Sequence, residues 1–142
     1  MDDSILIVGS GAMACLFASR LAAAGVHVQM LGSWAEGLEA LRSHGVRVAE
    51  GGGGEKAFAV EATSSPSDCS GARLALVLVK SWQTERAARQ LAECLEEDGV
   101  ALTLQNGLGN REALARVLGE NRVALGVTTS GATLLELSLI HI

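Results

Sequence analysis

Short aliphatic runs, each followed by a stretch of helical period, predict an α/β domain built on a doubly wound parallel sheet. Three observations carry that expectation. Strand candidates such as Ile5-Leu6-Ile7-Val8 are apolar without interruption, as a sheet covered on both faces requires. They alternate with helix candidates along the chain, and right-handed crossovers then place successive strands parallel. Hydrophobic residues make up 49% of the 142 and charged residues 19%. That is enough to build one core, and too apolar for a disordered chain.

The elements follow in order. After the first strand, Ala12–Ala24 sets Leu16, Phe17, Leu21 and Ala24 at helical spacing, and Gly25 stops the helix. Val26–Leu31 reads as the second strand and Ala35–Ser43 as the second helix, with Leu38 and Leu41 on one face and Gly45 at its end. Val46-Arg47-Val48 and Ala57-Phe58-Ala59-Val60 flank Gly51-Gly52-Gly53-Gly54, a hairpin-like excursion with a flexible tip. No helical pattern follows those glycines, so they read as a turn and not as a phosphate loop. Ser64–Asp68 holds the only proline and reads as a loop. Alternation then resumes: strand Leu74–Val79, helix Trp82–Leu95 with Ala87, Leu91 and Leu95 inward, strand Val100–Leu104, helix Arg111–Leu118 and strand Val123–Val127.

Composition removes several functional classes. Eleven Lys and Arg face 16 Asp and Glu, for a net charge of −5, and no basic stripe exists; nucleic acid is not an expected partner. Cys15, Cys69 and Cys94 stand far apart, without disulfide or metal-ligand spacing, and fit a reducing compartment as core or surface residues. The start Met1-Asp2-Asp3-Ser4 is acidic and runs into a short apolar segment, unlike a secretory leader. No apolar run reaches the roughly 20 residues of a membrane span. The expectation is a soluble cytoplasmic domain, with no membrane partner. His27 and His44 fall in a strand and at a helix end, where structural or solvated roles are expected.

Gly9-Ser10-Gly11-Ala12-Met13-Ala14 matches G-x-G-x-x-G/A directly between the first strand and the first helix. Gly9 permits the tight turn, Gly11 lets backbone approach a pyrophosphate, and Ala14 lets helix and sheet pack closely. The amides and positive end of the helix then face phosphate. The pattern alone is weak, because glycine turns of this kind also arise for packing. At the first strand–helix junction it points to a Rossmann-like nucleotide domain.

The end of the second strand reads Met30-Leu31-Gly32-Ser33-Trp34, with neither the carboxylate that grips an unphosphorylated ribose nor an Arg or Lys for a 2′-phosphate. Absence of the carboxylate favours NADP over NAD. Ser33 can donate a hydrogen bond there, while Trp34 either stacks on adenine or covers a core edge. Two further segments fall at strand ends, Val79-Lys80-Ser81-Trp82-Gln83 and Gln105-Asn106-Gly107-Leu108-Gly109. Lys80 is either a strand-end lysine reaching for water or a cation for a cofactor or oxyanion. Asn106 is either a turn residue before glycine or a donor–acceptor for the nicotinamide end or a substrate hydroxyl.

Taken together, the glycine loop, Lys80-Ser81-Trp82-Gln83, Gln105-Asn106-Gly107-Leu108-Gly109 and Gly126-Val127-Thr128-Thr129-Ser130-Gly131-Ala132 resemble the ketopantoate reductase family (2-dehydropantoate 2-reductase) in order and spacing. The resemblance spans Ser4 to about Glu136. It implies hydride transfer from NADPH to the ketone of 2-dehydropantoate, giving pantoate for pantothenate and coenzyme A synthesis. By the same resemblance Gly9–Ala14 hold the pyrophosphate, Lys80 and Asn106 touch cofactor and substrate, and Ala132 approaches the cofactor. The family commonly places an Arg after the second strand, where this chain has Gly32-Ser33-Trp34.

The family also continues into a helical second domain that supplies the proton-donor lysine and most substrate contacts, and as a full-length protein it is expected to form a homodimer. That domain is absent from this chain, so no catalytic residue is assigned within it. Leu137–Ile142 departs from the family's pattern of a turn into another strand and reads as foreign or read-through sequence, leaving residues 1–136 as the NAD(P)-binding domain. His141 is accordingly a poor catalytic candidate. The expected behaviour is weak nucleotide binding without turnover. Rival readings are a reductase of another keto acid, a nucleotide-sensing module without catalysis and, more distantly, a methyltransferase.

Overall fold

In chain order the elements are β1 (Ile5–Val8), α1 (Ala12–Ala23), β2 (Val28–Leu31), α2 (Ala35–His44), β3 (Val46–Ala49), β4 (Glu55–Phe58), β5 (Glu61–Thr63), β6 (Ala72–Val77), α3 (Thr84–Cys94), β7 (Leu95–Thr103), α4 (Asn110–Leu118), β8 (Val123–Leu125), β9 (Thr133–Glu136) and β10 (Leu139–His141). They come from a computed structural model describing residues 3–142; Met1 and Asp2, part of the acidic start and of the expected 1–136 domain, lie outside the described residues.

The main sheet runs β5-β2-β1-β6-β7-β8, and every pairing in it is parallel. The chain winds outward from β1 through β2 to β5, then returns to β6 on the other side of β1. The doubly wound reading is therefore met, with its switch point between β1 and β6. Side chains alternate across the sheet: Leu6, Val8, Ala75 and Val77 join α3 and α4 on one face, while Ile7 and Leu76 join α1 on the other. Burial on both faces is why these strands carry no polar alternation. Truncating Ile7, which is fully buried, to Ala would cost about 2–5 kcal/mol.

A second sheet, ordered β4-β3-β10-β9, covers the outer side of α1. Its hairpin β3–β4 is antiparallel and carries the glycine tip, as the sequence suggests. The segment 137–142, set apart from the domain in the sequence reading, supplies β10 in the structure. β10 pairs parallel to β3 and antiparallel to β9, and Ile140 is fully buried in the core beneath α1. Arg47 fastens it, donating to the Leu137 carbonyl at 2.7 Å and the Ser138 hydroxyl at 3.2 Å, with Glu55 and Glu136 at 3.4 and 3.2 Å. A turn through buried Ser138 (φ 62) joins the last two strands.

Several element boundaries differ from the sequence reading: β2 begins at Val28 and not at Val26, β6 runs Ala72–Val77 and not 74–79, and β7 runs Leu95–Thr103 and not 100–104. The helix read as Trp82–Leu95 begins at Thr84 after a 3-10 turn at Ser81–Gln83, and Leu95 opens the next strand. The β6–β7 register jumps between Ala72, opposite Leu95, and Leu74, opposite Val100, so residues 96–99 bulge out. β8 ends at Leu125, leaving Val127 exposed. Among the described residues, no helix is long and apolar enough to cross a membrane.

Cys15, Cys69 and Cys94 are buried and unbridged. Burial pushes the Cys15 and Cys69 thiols up to about 11, with the neighbouring Cys94 and Asp68 adding to the effect at Cys69. Raised thiol values in the folded state mean that stability is complete below about pH 9 and falls as pH climbs towards about 11, because the unfolded chain ionises first. Denaturant titrations across that range are expected to show the fall, and Cys15→Ala to reduce its slope. At neutral pH a disulfide reagent should label the native thiols only as fast as the chain opens.

Candidate functional site

Beyond the carboxyl ends of β1 and β6 lies a cavity of about 660 Å³, where an open parallel sheet places its ligand. Gly9 begins it. Its φ is +136°, and a Cβ there would lie 3.0 Å from the Leu78 carbonyl oxygen. Leu78 is held in place by donating its N–H to the Val8 carbonyl at 2.9 Å. Only glycine passes between the two central strands without strain. Ala14, 3.4 Å from the same point, is fully buried below.

Gly11 has a different task. Its φ of −85° suits any residue, and a Cβ would meet nothing within 4 Å. It caps α1 with no side-chain acceptor, and the first turn holds no acidic residue. The first intrahelical bond is Cys15 N–H to the Gly11 carbonyl at 2.9 Å. The amides of the first turn therefore have no partner within the helix, and that positive end opens on the cavity.

Lys80 and Asn106 reach the same cavity from the ends of β6 and β7. A polar network centred on buried Thr84 and Asn110 ties their segments together. Gln105 Nε2 donates to the Val79 carbonyl at 2.7 Å and to Thr84 Oγ1 at 3.0 Å. Thr84 Oγ1 donates to Asn110 Oδ1 at 2.9 Å, and Asn110 Nδ2 donates to the Asn106 carbonyl at 3.0 Å. Ser81 Oγ closes the circuit by donating to the Asn106 carbonyl at 3.1 Å. Gln83 holds the Lys80 turn, its Oε1 accepting the Lys80 N–H at 3.2 Å. Fully satisfied networks of this kind fix one geometry.

Of the sequence-predicted residues, Gly9, Ser10, Gly11, Ala12, Met13, Ser33, Lys80, Asn106 and Ala132 all line the cavity. Ala14 does not, because it packs beneath Gly9. The Trp34 ring lies against Gly37 of α2, where any Cβ would collide with it, and it also forms part of the cavity wall. The sequence reading missed Thr84, Gln105 and Asn110 as positioning residues; Gln105 fell in the segment 105–109 that was noticed, whereas Asn110 fell between that segment and the predicted helix 111–118. It also missed Arg86, whose Nη2 donates to Ser33 Oγ at 3.0 Å. Lys80 and Arg86 are cationic, and no carboxylate is among the described residues lining the cavity.

Comparison with known proteins gives the family of the chain. The family model for ketopantoate reductase PanE/ApbA matches residues 5–142. The chain belongs to the ketopantoate reductase family. It is 34% identical over 138 residues to the 2-dehydropantoate 2-reductase of Halobacterium salinarum, covering 96% of this chain and 45% of that protein. To the protein of the same name from Archaeoglobus fulgidus it is 38% identical over 130 residues, covering 92% and 40%. A crystal structure of a PanE/ApbA family ketopantoate reductase from Ralstonia eutropha superposes with a TM-score of 0.87 at 30% identity, covering 97% of this chain and 45% of that one. D-mandelate dehydrogenase in a ternary structure with NADH and anilino(oxo)acetate shares the fold, with a TM-score of 0.87 at 22% identity. This ketopantoate reductase family chain thus spans less than half the length of the relatives it matches.

Asn110 is 4% exposed and anchors the network. Asn110→Ala leaves the Thr84 hydroxyl and Asn106 carbonyl short of partners and is expected to lower unfolding free energy by about 1–3 kcal/mol. Urea titration reads the loss, and an unchanged midpoint contradicts the role.

Proposed function

We propose that this chain is the cofactor-binding half of an NADPH-dependent 2-dehydropantoate 2-reductase, which makes pantoate for pantothenate and coenzyme A synthesis. One observation carries the reading: a single cavity gathers the glycine turn, the uncapped start of α1, Lys80 and Asn106. The residues fit a dinucleotide. The space above Gly11 is what a Cβ would occupy, and the wall offers amides and two cations without a carboxylate. When bound, the nicotinamide dinucleotide supplies the reducing equivalent.

The remaining work belongs to the chain. Gly11, Ala12 and Met13 would hold the pyrophosphate, and the network through Thr84, Gln105 and Asn110 would keep Lys80 and Asn106 at a fixed separation. Lys80 would neutralise negative charge at the reacting end, and Asn106 would hydrogen-bond cofactor and keto acid. Ala132, which also lines the cavity, is small enough for the cofactor to pass. Protonation of the developing alkoxide would fall to the second half of the full-length protein, as would most of the fit to the small keto acid. A homodimer of that longer form belongs to the same proposal.

The two glycines provide the test. Gly9→Ala forces a side chain into a strained backbone against Leu78 and should cost stability by about 1–3 kcal/mol. Gly11→Ala should leave the thermal midpoint in place yet weaken NADPH binding about tenfold or more, a loss of roughly 1.4 kcal/mol. Calorimetric titration reads the affinity; full binding by Gly11→Ala defeats the proposal. Lys80→Ala should cost about 10- to 100-fold in affinity. With 2-dehydropantoate present, the chain alone should oxidise NADPH negligibly, and robust turnover refutes the division of labour.

A further inference from the structure

We infer that Arg86, on α3, is the cation that receives a phosphate on the adenosine ribose, so that this chain selects NADP(H) through its third helix and not through the end of β2. The inference rests on the proposed reductase reading and adds to it the residue that sets cofactor choice. The end of β2 leaves the task unfilled. Gly32 follows Leu31, its N–H donating to the Thr63 carbonyl at 3.0 Å, and a side chain at Gly32 would press on Ser10. Ser33 comes next, exposed at the cavity wall with no cation beside it in sequence. In space the cation is present: Arg86 Nη2 lies 3.0 Å from Ser33 Oγ.

Arg86 stands in an unfavourable place for a purely structural arginine. It occupies the first turn of α3, Thr84–Cys94, where the helix dipole opposes positive charge. No carboxylate pairs with it among the described residues, although five other arginines or histidines have such partners. Gln83 and Gln90, three residues before and four after it, line the same cavity, so one face of α3 is turned towards the ligand space. The bond to Ser33 uses one of the five guanidinium donors, and the Ser33 hydroxyl keeps its own proton to donate. Together they offer a forked cation and a hydroxyl, the chemistry that binds a phosphate dianion. The same wall lacks the carboxylate that would repel it.

Affinity alone tests this, without turnover. The 142-residue chain is titrated with NADPH, NADH, adenosine 2′,5′-bisphosphate and 5′-AMP, and Arg86→Ala and Arg86→Lys are compared by thermal melting and calorimetry. Wild type should prefer the 2′-phosphorylated member of each pair. Arg86→Ala should weaken those two ligands by about 10- to 100-fold, leave NADH and 5′-AMP within about twofold (a difference of roughly 0.4 kcal/mol), and melt with wild type. Arg86→Lys should recover part of the loss as a point charge. Equal loss for both members of a pair, or no loss for either, overturns Arg86 as the selector while dinucleotide binding still supports the reductase reading. A wild-type chain that binds none of the four overturns both.

Discussion

The whole site depends on how closely the two central strands approach. β1 and β6 are adjacent, and beyond their ends the backbone of Gly9 runs against the Leu78 carbonyl with no room for a side chain. Crossovers leave in opposite directions on the two sides of that pair, so no helix roofs the gap between them. The cavity is the result. The free amides at the start of α1 follow from the sharpness of the turn, because the turn aims α1 at the gap before any side chain can cap it.

The opposite wall is organised by buried polar groups instead of by backbone alone. Gln105, Thr84 and Asn110 join the ends of β6 and β7 to the starts of α3 and α4. A polar cluster of this kind stabilises only when complete, and no buried side-chain polar atom among the described residues lacks a partner. Lys80 and Asn106 are consequently carried on one rigid unit. Lys80 and Asn106 are exposed, while Thr84 and Asn110, which hold their segments, are buried.

Much of this was legible in the chain. The strands of the main sheet announced themselves because burial on both faces leaves them uninterrupted, as in Ile5–Val8, and the glycine turn because its spacing is tied to backbone geometry. Lys80 and Asn106 were visible through their positions after apolar strands. Other parts were hidden for physical reasons. β5, Glu61-Ala62-Thr63, is a three-residue edge strand with an exposed first residue, too short and polar to show a period. β10 is held by Arg47, 91 residues away from its Ser138 partner, so its place depends on a contact with no local signature. Arg86 and Ser33 lie 53 residues apart and meet only because α3 packs beside the end of β2. Side-chain networks across elements are a property of the assembled fold.

The winding order also bears on how the domain is born. On the ribosome, β1 and β2 emerge early, whereas the other neighbour of β1, strand β6, follows only after the excursion through β3, β4 and β5. Throughout that interval the middle strand of the future sheet has one bare edge, a row of unpaired amides and carbonyls flanked by Leu6, Ile7 and Val8. Such an edge invites pairing with foreign strands. The nascent chain thus exposes an aggregation-prone edge on the very strand that the mature protein pairs on both sides.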